Sequence, residues 1–185
     1  MKHGFIGFGN LAKAVYLGLK DEVDIEFYYY ARSKKDVDIK FCSTLEELVL
    51  NVDFIWLTVK PQDLSVVLED LKKLNISGKT ILSPVAGRSV DFIEKHLGEN
   101  QLIIRIMPNL AMAYKSSVTA FFSNHPEERN GEIVYDLLGK LGKVVKLDES
   151  AFDLFTSVFG SGPAFILAFI QIFKDKMQEF NLPGS

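Results

Sequence analysis

The sequence is short of the residues that most directly announce chemistry. It has one cysteine, Cys42, which excludes an internal disulfide framework and fits a reducing cytosol, so a cytoplasmic location is expected. Cys42 itself reads as a small, half-buried apolar residue, a better account than a nucleophile. Histidine is scarce too: His3, His96 and His125 fall on different elements with no metal-ligand spacing, so no metal site is expected. No Ser-His-Asp or Cys-His arrangement is evident, and the catalytic residue stays unknown. Excess positive charge is missing; a net charge of -3 argues against a nucleic-acid partner. The longest apolar run, Ala164 to Ile170, is too short to span a bilayer, and no signal peptide precedes the first strand, so no membrane partner is expected. Internal repeats and low-complexity segments are absent.

What remains is an ordinary globular composition, 48% hydrophobic and 24% charged over 185 residues, with room for one domain and part of another. Strand and helix alternate along most of it. Lys2 to Ile6, Ile25 to Tyr30, Ile39 to Cys42, Phe54 to Val59, Thr80 to Ser83, Leu102 to Ile106, Val118 to Phe122 and Lys143 to Lys146 read as strands. Phe54 to Val59 is nearly all apolar, as a central parallel strand covered on both faces should be. Between them lie helices, one opened by a Thr44–Glu47 capping box and one expected from Pro61 through Leu74. This alternation predicts an α/β fold with a doubly wound, Rossmann-like, mostly parallel sheet over residues 1–148. After Leu147 the character changes to helix alone: Ala151 to Phe159, a turn at Gly160 to Pro163, then Ala164 to about Phe180. Residues 149–185 therefore read as the first helices of a second, all-helical domain.

The most informative segment is Gly7-Phe8-Gly9-Asn10-Leu11-Ala12, at the junction of the first strand and first helix. In a G-x-G-x-x-A turn the first glycine allows the tight reversal and the second lets a pyrophosphate approach the backbone. The alanine lets helix and strand pack closely, and the helix N-terminus faces the phosphates. The second strand then ends Tyr30-Ala31-Arg32-Ser33-Lys34-Lys35. No carboxylate stands where NAD-binding proteins hold the ribose 2′-hydroxyl; donors suited to a 2′-phosphate stand there instead, which favours NADP.

Four further segments follow in order: Val59-Lys60-Pro61-Gln62, Ser83-Pro84-Val85-Ala86-Gly87, Met107-Pro108-Asn109 and Gly160-Ser161-Gly162-Pro163-Ala164. With the glycine turn in front, the chain closely resembles the pyrroline-5-carboxylate reductase family from about Lys2 to Pro183. The resemblance implies reduction of 1-pyrroline-5-carboxylate to L-proline by hydride transfer from NADPH. It puts Gly7 to Ala12 on the pyrophosphate and Arg32 and Ser33 at the adenosine phosphate. Val59, Lys60 and Pro61, with Val85, Ala86 and Gly87, would line the cofactor, and Asn109 would sit near the nicotinamide end. Leu110-Ala111-Met112 departs from the family's Thr-Pro-Ala, and Lys115 and Ser117 fall where it has glycines. The family also continues past Leu182-Pro183, through helices that form a homodimer and carry the substrate loop. The chain thus reads as a C-terminally truncated member, impaired or inactive. The alternatives are a non-catalytic NADP-binding module, or a related imine or β-hydroxyacid reductase. Composition adds that Phe165 to Phe173, apolar on nearly every side, should pack partly on the cofactor domain and partly on a second copy.

Overall fold

Apolar strands separated by amphipathic helices assemble into one eight-stranded sheet in the computed structural model, which describes residues 1–180. The strands are β1 (Lys2–Ile6), β2 (Glu26–Tyr30), β3 (Lys40–Cys42), β4 (Phe54–Leu57), β5 (Thr80–Ser83), β6 (Ile103–Met107), β7 (Ser117–Ser123) and β8 (Gly142–Lys146). Their spatial order is β3-β2-β1-β4-β5-β6-β7-β8. All neighbours from β3 to β6 are parallel; β7 runs antiparallel to β6, and β8 parallel to β7. The doubly wound, mostly parallel sheet read from the sequence is therefore present. Every residue of β4, β5 and β6 is buried, because helices cover both faces. One core layer gathers around Phe5, Tyr29, Trp56 and Leu141, the other around Leu48, Leu64, Ile81 and Ile93.

The helices are α1 (Asn10–Leu19), α2 (Leu45–Asn51), α3 (Leu64–Lys72), α4 (Val90–Leu97), α5 (Arg129–Gly139), α6 (Phe152–Phe155) and α7 (Gly162–Glu179). The Thr44 hydroxyl accepts from the Glu47 amide at 3.1 Å, and the Glu47 carboxylate accepts from the Ser43 amide at 2.7 Å, so the start of α2 is capped from both sides. The helix expected from Pro61 starts three residues later. The Asp63 amide donates to the Lys60 carbonyl at 2.9 Å, closing a turn over residues 60–63 before α3 begins.

A second difference lies at the C-terminus. The expected break at Gly160 to Pro163 is a π-helical turn, Thr156–Ser161, that joins α6 to α7. Pro163 fits because it falls in the first turn of α7. Ser161 makes no capping hydrogen bond. The helical stretch Glu149–Glu179 runs 31 residues, with a mean hydropathy of 1.6 in its apolar 18-residue window. By length and composition it is long and apolar enough to cross a membrane, which the short run Ala164 to Ile170 does not indicate. No residue of α7 is buried, so the expected packing against the sheet-bearing part of the chain is not seen. Residues 181–185, which include Leu182-Pro183 and the end of the expected second domain, lie outside the described residues.

His3 illustrates what burial does to a charge. It is fully buried on β1, stacked on Phe54 with ring centroids 4.6 Å apart, and its Nδ1 accepts from the Trp56 indole N–H at 3.0 Å. Since the indole can only donate, the neutral ring carries its proton on Nε2, which is buried without a partner. Burial, reinforced by the N-terminal ammonium and opposed by Asp53, pushes the His3 pKa down from 6.5 to about 3. Between those values the unfolded chain binds a proton that the folded chain refuses. His3 thus contributes stability above pH 6.5 that is lost as pH falls toward 3. At about 1.4 kcal/mol per unit, two pH units correspond to roughly 2–3 kcal/mol. Urea unfolding at pH 7 and pH 4.5 should show His3→Phe losing about that much less stability on acidification than the wild type. Equal losses in both proteins would refute the assignment.

Candidate functional site

β1 lies at the point where the chain's winding reverses, with β2 on one side and β4 on the other, and ligands in open α/β sheets bind outside the carboxyl ends of strands at such a crevice. The glycine turn occupies that place. Gly7 adopts φ +84°, and a Cβ on it would lie 2.9 Å from the Thr58 carbonyl oxygen, so both conformation and space demand glycine. The turn is held by the Gly7 amide donating to Tyr30 O at 2.8 Å and by the Thr58 hydroxyl donating to Gly7 O at 2.6 Å. Thr58 is a part of this turn that sequence reasoning missed.

Gly9 differs. Its backbone is extended, φ -96° and ψ -164°, and a Cβ placed on it would meet nothing within 4 Å. It stands at the N-terminus of α1, whose first-turn amides have no intrahelical acceptor. An open side beside unsatisfied donors at a helix N-terminus is a place for an anion such as a pyrophosphate. Ala12 is fully buried, as close helix–strand packing requires.

A groove of about 640 Å³ runs from this turn over the ends of β2 and β4. Of the residues singled out from the sequence, Gly7, Phe8, Gly9, Arg32, Ser33, Val59 and Lys60 line it. Asn10, Leu11 and Ala12 form the first turn of α1 without lining it, and Pro61 belongs to the turn before α3. Lys35, from the basic end of β2, lines it too; Asp63 and Asp70, which share the lining, were missed by the sequence reading. Lys35 donates to the Ser33 hydroxyl at 3.0 Å, and Arg32, 91% exposed, reaches the Asp63 carboxylate at 3.4 Å. Asp63 comes from beyond β4, 31 residues on from Arg32, and sequence spacing gives no signal for that meeting. A second groove, of about 630 Å³, lies among the starts of β5 and β6, the end of the sheet opposite the glycine turn.

Ala86, Gly87 and Asn109 stand outside the groove lining. Gly87 has φ +67° in the turn after β5. Asn109 caps a short 3₁₀ turn, Leu110–Tyr114, its Oδ1 accepting from the Ala111 amide at 3.1 Å. Its Nδ2 donates to Phe159 O at 3.2 Å, so this side chain ties the loop to the helical arm. Lys115 has φ +55°, a left-handed conformation that explains why a glycine is natural there. Ser117 is buried, its hydroxyl within 3.1 Å of Thr119 Oγ1.

The remaining candidates are structural. Cys42 is buried, which pushes its thiol up to about 11 and leaves it a poor nucleophile. His96 contacts the Phe92 carbonyl and His125 the Glu99 carbonyl, each at 2.9 Å. Among the described residues no group of His, Cys, Asp and Glu could hold a metal ion.

Comparison with known proteins follows the same lines. Residues 2–87 match the family model described as NADP oxidoreductase coenzyme F420-dependent. The chain is 34% identical over 178 residues to the pyrroline-5-carboxylate reductase of Aquifex aeolicus, covering 92% of this chain and 66% of that protein. It is 31% identical over 194 residues to the enzyme of the same name from Arabidopsis thaliana, covering 98% and 70%. Among solved structures, the Plasmodium falciparum pyrroline carboxylate reductase with NADP bound superposes with a TM-score of 0.90 at 27% identity, over 97% of this chain and 70% of that one. The chain thus spans about two thirds of the length of the relatives it matches.

Proposed function

The chain belongs to the pyrroline-5-carboxylate reductase family, and we propose on that premise that its groove holds NADP(H) and that the whole protein reduces 1-pyrroline-5-carboxylate to L-proline. The observation that carries the reading is the open side of Gly9 at the N-terminus of α1, in one groove with Arg32, Ser33 and Lys35. The first-turn amides of α1 would take the pyrophosphate, and the three basic or hydroxyl side chains a 2′-phosphate. Val59 and Lys60 would flank the cofactor along the end of β4. The bound nicotinamide supplies a hydride to a carbon that is already electrophilic in the imine. What this chain contributes is orientation: the glycine turn fixes one end, and the β4 exit guides the rest.

Fluorescence titration should give NADPH about tenfold tighter binding than NADH. Charge-assisted hydrogen bonds are worth roughly 1.5–3 kcal/mol before desolvation, and the exposure of Arg32 reduces that. Arg32→Ala should bring the two cofactors to within about twofold; an equal affinity in the wild type would refute the 2′-phosphate site. NADPH oxidation with 1-pyrroline-5-carboxylate then separates the reductase from a non-catalytic NADP-binding module, which would bind without turnover.

The same proposal includes a homodimer in the cytoplasm. Phe165, Ile166, Leu167, Phe169, Ile172 and Phe173 are all exposed on α7. Burying such side chains is worth roughly 1.5–3 kcal/mol each, so this face needs a cover, and a second copy supplies one. Light scattering over a dilution series should show a dimer, and Ile170→Asp should weaken it without affecting NADPH affinity. A monomer at all concentrations, or recovery with the membrane fraction of a cell extract, would overturn it.

A further inference from the structure

The end of β2 has no carboxylate for a ribose hydroxyl, yet the groove beside it does. Asp63 stands at the N-terminal end of α3 and lines the groove together with Arg32. An aspartate there ordinarily accepts from the first-turn amides of its own helix, but Asp63 makes no such bond. Its Oδ1 faces the Arg32 guanidinium at 3.4 Å instead. The second groove carboxylate, Asp70, is engaged by Lys73 at 2.8 Å. Asp63 is thus the groove carboxylate paired with Arg32, and its helix leaves it free for a ligand.

We propose that Asp63 supplies, from the opposite wall, the ribose-hydroxyl acceptor missing from β2, and that Arg32 is shared between Asp63 and a 2′-phosphate. Asp63 thereby sets how far the site prefers NADPH over NADH. The inference rests on the groove holding a dinucleotide, as proposed above. With a 2′-hydroxyl, the Arg32–Asp63 pair stays closed and the carboxylate accepts from the ribose, its charge favoured by the N-terminus of α3. With a 2′-phosphate, Arg32 turns to the dianion. Opening that exposed pair takes back up to about fivefold of the affinity the phosphate gains from Arg32. Asp63 therefore lowers phosphate affinity by competing for Arg32. Ser33 and Lys35 donate to the 2′-phosphate beside Arg32.

Asp63→Asn and Asp63→Ala are measured for NADPH and NADH by fluorescence titration, and for 2′,5′-ADP and 5′-AMP by calorimetry, with thermal midpoints as a check on folding. Both variants should bind NADPH and 2′,5′-ADP about three- to fivefold tighter. Asp63→Ala should bind NADH more weakly by a similar factor. Adding Arg32→Ala should shrink the gain for 2′,5′-ADP to less than twofold, because the shared partner is gone. Unchanged cofactor ratios in both single variants overturn the proposal while leaving the site intact. A full gain in the Arg32→Ala background also overturns it, since Asp63 would then act without Arg32. Failure of the wild type to bind any of the four nucleotides overturns the underlying site reading instead.

Discussion

Gly9→Val is expected to abolish NADPH binding, by at least about a hundredfold, in a protein that still folds. The backbone at Gly9 is one that any residue adopts, and the space beside it is open, so the fold loses only about 1 kcal/mol for a poorer helix cap. The valine methyl groups would fill the approach a pyrophosphate needs. Gly7→Val is the contrast: there φ is +84° and the new carbon meets the Thr58 carbonyl, so folding itself fails. Titration with NADPH, beside circular dichroism and thermal unfolding, separates the two. Near-wild-type affinity in a folded Gly9→Val protein would show that phosphates bind elsewhere.

The second large effect is on stability. Arg105 of β6 has a side chain only 6% exposed, and its Nη1 donates to Glu149 at 2.8 Å. The same carboxylate oxygen accepts from the Val90 amide at 2.7 Å, and the guanidinium lies over the Phe152 ring at 4.7 Å. One carboxylate thus joins β6, the start of α4 and the base of the helical arm. Glu149→Leu leaves a buried guanidinium with only Asp153, 3.9 Å away, and should cost about 3–5 kcal/mol. Arg105→Met combined with Glu149→Leu removes the stranded charge as well, and should recover more than half of that loss. Urea unfolding of the wild type, the two single variants and the double variant makes the cycle; a loss below about 1 kcal/mol for Glu149→Leu alone would show that the pair is dispensable.

Much of this architecture can be read along the chain because its signals are local. Strand β4 announces itself by an unbroken apolar run, and the Gly7–Ala12 turn by residue types that a strand-to-helix junction requires. The capping box at Thr44 and Glu47 is equally local, since its bonds span four residues. The start of α3 was misplaced because proline is tolerated in a first turn without compelling one; the Asp63–Lys60 bond decided it. The join at Gly160 to Pro163 was misread for a related reason. Glycine and proline there permit a break, and the backbone took a π turn instead.

The doubly wound sheet, the glycine turn, the basic end of β2 and the family to which all of them belong are legible along the chain. Each depends on residues near one another in the chain, where periodicity and turn chemistry act. Which distant groups meet is settled by the packing of sheet and helices. It brought Asp63 to Arg32, Thr58 to Gly7, Glu149 to Arg105 and Val90, and the Trp56 indole to His3. It also leaves Gly9 open where Gly7 is closed, though both are glycines of one motif. Those outcomes depend on strand order and on how helices settle against the sheet, so no short window of sequence contains them.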